Sequence, residues 1–262
     1  MLFESESHKA GQVAISVRNL NLIYKTTVQK KPTFRQALTR TGRRIRTVNA
    51  LTNLNLEIPY GSVLGVIGAN GAGKSSLMRV VAGIVPPTAG RVEVYGQVST
   101  LLSLGVGFNA RLTGRENVIL GGLAAGLTRA EIEEQFSAIA DFADIGEAID
   151  SPMKTYSAGM YSRLAFAVAV VVEPDVLIVD EALSTGDAKF KKKSLEKIKT
   201  LRGENRAIIL VSHALATIKE ICNDVIWLDK GKIMMRGNPD EVVAAYKESL
   251  QVAKSSSADE DL

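Results

Sequence analysis

The amino-acid sequence predicts an α/β fold: a mostly parallel sheet with helices packed on it and a helical insertion near the middle. Three observations predict it. Short apolar runs, "SVLGVIG", "DVLIVD" and "AIILVS", read as buried strands with helical patterns between them. One of these runs passes through a glycine-rich loop directly into a helix, "GANGAGKSSLMRVVAG". From about Leu112 to Val172 the apolar spacing is helical throughout.

The elements follow in order. "VAISVRNLNLIY" alternates and predicts a strand over 13–24, and "LTNLNLEIP" a second over 51–59. Between them Pro32 opens a short predicted helix, closed by Gly42. The helix after the glycine loop ends at Gly83, and "RVEVYG" is a strand. In the insertion, Thr128 with Glu131 forms a capping box that starts "TRAEIEEQFSAIADFA". Short strands return after Pro174, "DKGK" (Asp229 to Lys232) reads as a hairpin turn, and Pro239 starts a last helix. The tail "KSSSADEDL" is polar and predicted to be disordered, and no internal repeat is expected.

Bulk properties narrow the classes. The chain has 262 residues, enough to bury a full core, with 46% hydrophobic and 23% charged residues. The longest apolar run, Leu164 to Val172, makes about 14 Å of helix, too short for a hydrocarbon core of roughly 30 Å. The first residues, "MLFESESHKAG", lack the apolar centre of a signal peptide. Cys222, the single cysteine, excludes an internal disulfide and suits a reducing compartment. A cytosolic chain that does not itself span a membrane is expected. Its net charge of +4 is unevenly spread: Ser7 to Leu56 holds ten Lys and Arg and no acid. Such local basicity points to a local partner.

The chemistry concentrates at one motif. Gly68 to Ser75 fits G-x-x-x-x-G-K-[ST], with a strand before it and a helix after it. Gly68, Gly71 and Gly73 let backbone N–H groups converge on a phosphate; Ala69, Asn70 and Ala72 complete the loop, and Ser76 follows on the helix. Lys74 reaches the terminal phosphates, Ser75 offers a hydroxyl to Mg²⁺, and the helix points its positive end at the same place. "PDVLIVDEAL" then delivers Asp180, placed to hold Mg²⁺ through water, and Glu181, placed to polarise the attacking water. His213, after "AIILVS", is expected to contact the γ-phosphate.

In this order the motifs resemble the nucleotide-binding domain of ABC proteins over about residues 13–248. The deciding stretch is "YSAGM", Tyr156 to Met160, similar to the family's LSGGQ signature; Ala158 stands for a glycine and Met160 for the glutamine. The resemblance implies a P-loop NTPase with a RecA-like core, an antiparallel β subdomain and a helical signature subdomain (about 100–172). It implies one ABC domain over 1–248, a basic gate-helix-like insertion (about 25–48) and a polar tail (249–262). It further implies that Ser157, Ala158 and Gly159 contact the γ-phosphate of ATP held by a second copy, so that the active unit is a head-to-tail homodimer. By the same resemblance Asp187 belongs to the D-loop, Tyr24 stacks on adenine, and His213 senses the γ-phosphate.

Within the family, "LLSLGVGFNARLTGREN" and "EALSTGD" resemble one subgroup, the ATPase subunits that export lipid-linked polysaccharides: O-antigen, teichoic acid and mycobacterial-type galactan. The glutamine other members carry would fall at Ser103 or Leu104, and neither position holds one. The resemblance implies ATP and Mg²⁺ as cofactors, two copies of a separate transmembrane permease, and a place at the cytoplasmic face of the inner membrane. For the basic segment three readings stand: a solvated loop, a nucleic-acid contact, and an interfacial element beside anionic headgroups. Few aromatics accompany the cations, which counts against nucleic acid, and none is expected; the subgroup resemblance implies the membrane surface, which is the preferred reading. The alternative function is a soluble ABC ATPase acting on nucleic acid or the ribosome. The chain stops about 14 residues after the last predicted helix, so substrate choice is expected to lie in the permease.

Overall fold

In the computed structural model the described residues are 11–28, 44–101, 108–180 and 187–259. Two sheets organise them. The smaller is antiparallel, ordered β2-β1-β4, from β1 (Val13–Val28), β2 (Arg44–Pro59) and β4 (Ala89–Val94). The larger is ordered β5-β6-β7-β3-β8-β9, from β3 (Val63–Ile67), β5 (Val98–Thr100), β6 (Val176–Val179), β7 (Ala207–Val211), β8 (Asp224–Asp229) and β9 (Lys232–Gly237). All its pairings are parallel except β8 with β9.

The pleat explains why β3, β6 and β7 read as unbroken apolar runs. Leu64, Val66, Ile178 and Ile209 face one core, under the antiparallel sheet and α1 (Lys74–Val81). Val63, Ile67, Val179 and Leu210 face the other, beneath α4 (Ala158–Val171), α5 (Ala188–Gly203), α6 (Leu215–Ile221) and α7 (Pro239–Asp259). A strand buried on both sides has no polar position to alternate. A third core, around Val118, Ile132, Ile139 and Leu164, holds α2 (Gly114–Ala124) and α3 (Arg129–Ala143) against α4.

Helix starts are set by side-chain caps. The expected Thr128–Glu131 box caps α3, and an unexpected one, Thr113 with Glu116, caps α2. Three cations gather at the far end of α3. Arg163 Nη1 donates to the Asp144 carbonyl (3.0 Å), Lys193 Nζ to that of Asp141 (2.9 Å), and Lys189 pairs with Asp144 (3.3 Å). Cations suit the negative end of a helix.

Three expectations are corrected. The first strand does not stop at Tyr24 but runs to Val28, and the second starts at Arg44, not Leu51; the ladder pairs Lys25 with Thr47 and Val28 with Arg44. Both ends of the basic insertion are therefore strand, as their Thr, Val and Ile content favours. The helix predicted from Pro32 lies outside the described residues. The tail predicted to be disordered is helical to Asp259, because no Gly or Pro after Pro239 stops α7. Finally, a short repeat exists. "NLNL" occurs at 19–22 and 53–56, and the antiparallel pairing sets the copies face to face. Asn19 and Asn53 both adopt φ +49°. Asn19 N donates to Asn55 Oδ1 (2.8 Å) and Asn53 N to Asn21 Oδ1 (3.0 Å), so each copy satisfies the other's bulged backbone.

Candidate nucleotide site

The site lies at the C-terminal ends of β3, β6 and β7, where an open parallel sheet collects ligands. β3 ends in the glycine loop. Gly68 has φ +148°, and a Cβ there would stand 2.2 Å from the Leu228 carbonyl oxygen. Gly73 has φ +110°, and its Cβ would stand 2.7 Å from the Ala50 carbonyl oxygen. Only glycine fits both the dihedral and the space. Gly71, Ala69 and Ala72 complete the loop; the Ala72 N–H donates to Ala69 O (3.2 Å).

Lys74 opens α1 and is 8% exposed. Its ammonium donates to the carbonyls of Gly68 (2.7 Å) and Ala69 (3.0 Å), holding the loop it follows. Burial pulls its pKa down, and the nearby Asp180 pushes it back up. Asp180, just after β6, is raised by burial, against the pull of Lys74, His213 and Arg79. These opposed shifts mark two buried charges that share one low-dielectric space.

A cavity of about 490 Å³ joins the predicted residues. Lys74, Ser75, Ser76, Asp180 and His213 form one part of its wall with Asn70, Gly71 and Gly73 of the loop. Tyr24 lines it as well, its hydroxyl buried without a hydrogen-bond partner among the described residues. Sequence reasoning missed Val48, Asn49, Ala50, Val211 and Lys230, which also line it. The "DKGK" turn was legible as a turn, but nothing local in it says which cleft it borders.

Mg²⁺ fits this wall in a particular way. Ser75 and Asp180 offer two oxygens to the cavity, and no group of three or more His, Cys, Asp or Glu that could hold a metal occurs among the described residues. A hard cation held by one carboxylate, one hydroxyl, waters and phosphate oxygens suits so sparse a protein contribution.

Other predicted residues lie elsewhere. Ser157 caps α4, its Oγ accepting from Met160 N (3.2 Å), and Ala158 and Gly159 form the first turn. None of the three lines the cavity. Asp187 caps α5, accepting from Phe190 N (2.8 Å), and pairs with Arg163 of α4; the backbone bond, then Arg163 and Lys189, hold its carboxyl below the usual range. Asp187 thus ties α4 to α5 within its own chain. Gln97 precedes β5, and its N–H donates to Asp175 (2.7 Å). Glu181, Ser103 and Leu104 lie outside the described residues.

Fold and site together define an ATP-binding cassette: a phosphate loop, a carboxylate strand, an aromatic at the cleft and a serine-capped helix on a separate helical lobe. The ABC transporter family profile matches residues 51–184, and the chain belongs to the ABC transporter family. Among relatives, the O-antigen export system ATP-binding protein RfbB of Myxococcus xanthus is 44% identical over 219 residues, 84% of this chain and 50% of its own length. The teichoic acids export ATP-binding protein TagH of Bacillus anthracis is 41% identical over 211 residues, 80% of this chain and 38% of its own length. The chain thus spans half or less of these two relatives. A solved ATP-binding subunit of an ABC transporter shares the fold, with a TM-score of 0.73 at 22% identity over 89% of this chain and 93% of that one.

Proposed function

We propose that the protein is the ATP-hydrolysing subunit of an exporter that moves a lipid-linked cell-envelope polysaccharide across the cytoplasmic membrane. The observation that carries this reading is the division of the site. The cavity gathers Lys74, Ser75, Asp180, His213 and Tyr24, while Ser157 caps a helix outside it. A cradle on one lobe and an anion-binding helix tip on another make a complete site when two copies stack head to tail. The two relatives' names, O-antigen export and teichoic acids export, support the substrate class.

In this reading the loop amides and Lys74 stabilise phosphate charge, Ser75 and Asp180 hold Mg²⁺, and Ser157 of a second copy approaches the γ-phosphate. Mg²⁺ supplies charge neutralisation at the phosphate oxygens. Glu181 polarises the attacking water, His213 contacts the γ-phosphate, and Asp187 lies at the junction of the copies. Two copies serve two permease subunits at the cytoplasmic face. No helix among the described residues is long and apolar enough to cross a membrane, which suits such a peripheral subunit. The basic segment 25–46 faces anionic headgroups, each cation contributing about 1 kcal/mol before screening.

The test is depletion in cells. Losing the protein, or replacing it with Lys74→Ala, is expected to accumulate lipid-linked glycan on the inner side of the membrane. Normal surface glycan in the depleted cells would overturn the export reading.

A further inference from the structure

The hairpin turn between β8 and β9 is built into the cleft. Gly231 N donates to Ala72 O of the phosphate loop (2.8 Å), and Thr52 N of β2 donates to Gly231 O (2.8 Å). A Cβ on Gly231 would stand 2.6 Å from Ala50 O, and a Cβ on Gly73 would reach Gly231 Cα at 3.4 Å. The turn is therefore wedged between the loop that starts α1 and the strand opposite Tyr24. Lys230 precedes this wedge with φ +44°, is exposed, and lines the same cavity as Tyr24, Asn49 and Lys74. Among the described residues it makes no ion pair. The backbone of this turn is anchored both to the phosphate loop and to the strand paired with Tyr24, and Lys230 lines the cavity that Tyr24 and Lys74 also line.

We infer that Lys230 is a second cation of the nucleotide site, acting on the phosphate chain at its sugar end rather than at the γ-phosphate. This rests on the nucleotide reading of the cleft. The Coulomb field of Lys230 then stabilises ADP and ATP alike, leaves adenosine indifferent, and weakens with salt because the ammonium is exposed. Lys74 already holds the loop carbonyls. Lys230, which makes no ion pair among the described residues, answers to the ligand.

The test uses the full chain with ADP, Mg·ATP and adenosine as probes, by titration at low and high salt. Lys230→Asn removes the charge but keeps a residue tolerant of positive φ, and Lys230→Arg keeps the charge. The asparagine variant is expected to lose about fivefold in affinity for both ADP and ATP at low salt, with the loss shrinking at high salt. Adenosine binding should stay level and arginine should restore the phosphorylated ligands. Wild-type ADP affinity in Lys230→Asn, or an equal loss for adenosine, overturns the proposal. Lys74→Ala is run in parallel. If it too binds ADP and ATP as the parent does, the nucleotide reading itself fails; if it loses them while Lys230→Asn does not, only the role of Lys230 fails.

Discussion

Asp180 sits under opposed demands. Its burial raises the carboxyl pKa above the ordinary Asp value of about 3.9, while Lys74, His213 and Arg79 favour the ionised form. For the protein without nucleotide, a raised folded-state pKa means that protonation favours folding. The contribution is full below the unfolded value of about 3.9 and is lost as pH rises through the folded one. In the proposed reading metal-dependent binding runs the other way, since only the carboxylate form of Asp180 would hold Mg²⁺. Mg·ATP affinity is therefore expected to fall on acidification sooner than an ordinary Asp would cause. Titration calorimetry from acid to neutral pH measures it. Asp180→Asn should abolish this fall, and an unchanged profile in that variant would assign it to another group. The loop residues were legible because their spacing is local: Gly68, Lys74 and Ser75 lie within eight positions. Lys230 lies more than 150 positions away, and only the tertiary wedge brings it to the same cavity.

Between elements, one amide outweighs a visible cap. Asn117 of α2 is fully buried. Its Oδ1 accepts from Asn109 N (2.6 Å), and its Nδ2 donates to the carbonyls of Asn109 (3.0 Å) and Thr113 (2.8 Å). It locks residues 109–113 onto the helix that follows. Asn117→Leu keeps the volume but strands those backbone groups, an expected loss of about 3 kcal/mol. Thr113→Ala removes only an exposed capping oxygen and is expected to cost about 1 kcal/mol. Urea denaturation of both variants checks the order; equal losses would mean that water replaces the amide. Sequence reading found the Thr128–Glu131 box but not Thr113–Glu116, because Gly114, a poor helix former, disguises the start. That glycine is there for space, since a Cβ would stand 2.2 Å from the Tyr156 hydroxyl. The "NLNL" copies escaped notice for a related reason: four residues carry no repeat signal until an antiparallel register sets them opposite each other. Strands buried on both faces, by contrast, announced themselves, as did the helix starts at Thr128 and Pro239.

At the scale of the whole molecule, the placement of Lys74 and Ser157 can be turned into a genetic test of geometry. If each nucleotide is held by the cradle of one copy and the helix tip of another, the two residues act in trans. Lys74→Ala ruins the cradle and leaves the Ser157 tip intact. Ser157→Arg puts a bulky cation at the tip and leaves the cradle intact, and its exposed N-cap position keeps the cost to folding at about 1 kcal/mol. Each variant alone is expected to hydrolyse ATP slowly, because every site in its homodimer carries the same defect. In a mixture, each heterodimer has one site with both parts intact and one with neither. Random pairing makes about half of the dimers heterodimers, so mixing should restore roughly a quarter of the parent's rate if the sites fire independently, and less if both must be filled together. Steady-state phosphate release from the two variants, separate and mixed, is the measurement. A Ser157→Arg protein that hydrolyses ATP at the parent rate on its own would show that one chain completes its own site. A mixture no faster than the mean of its parts, from variants that bind each other in light scattering, would show that the sites must fire as a pair.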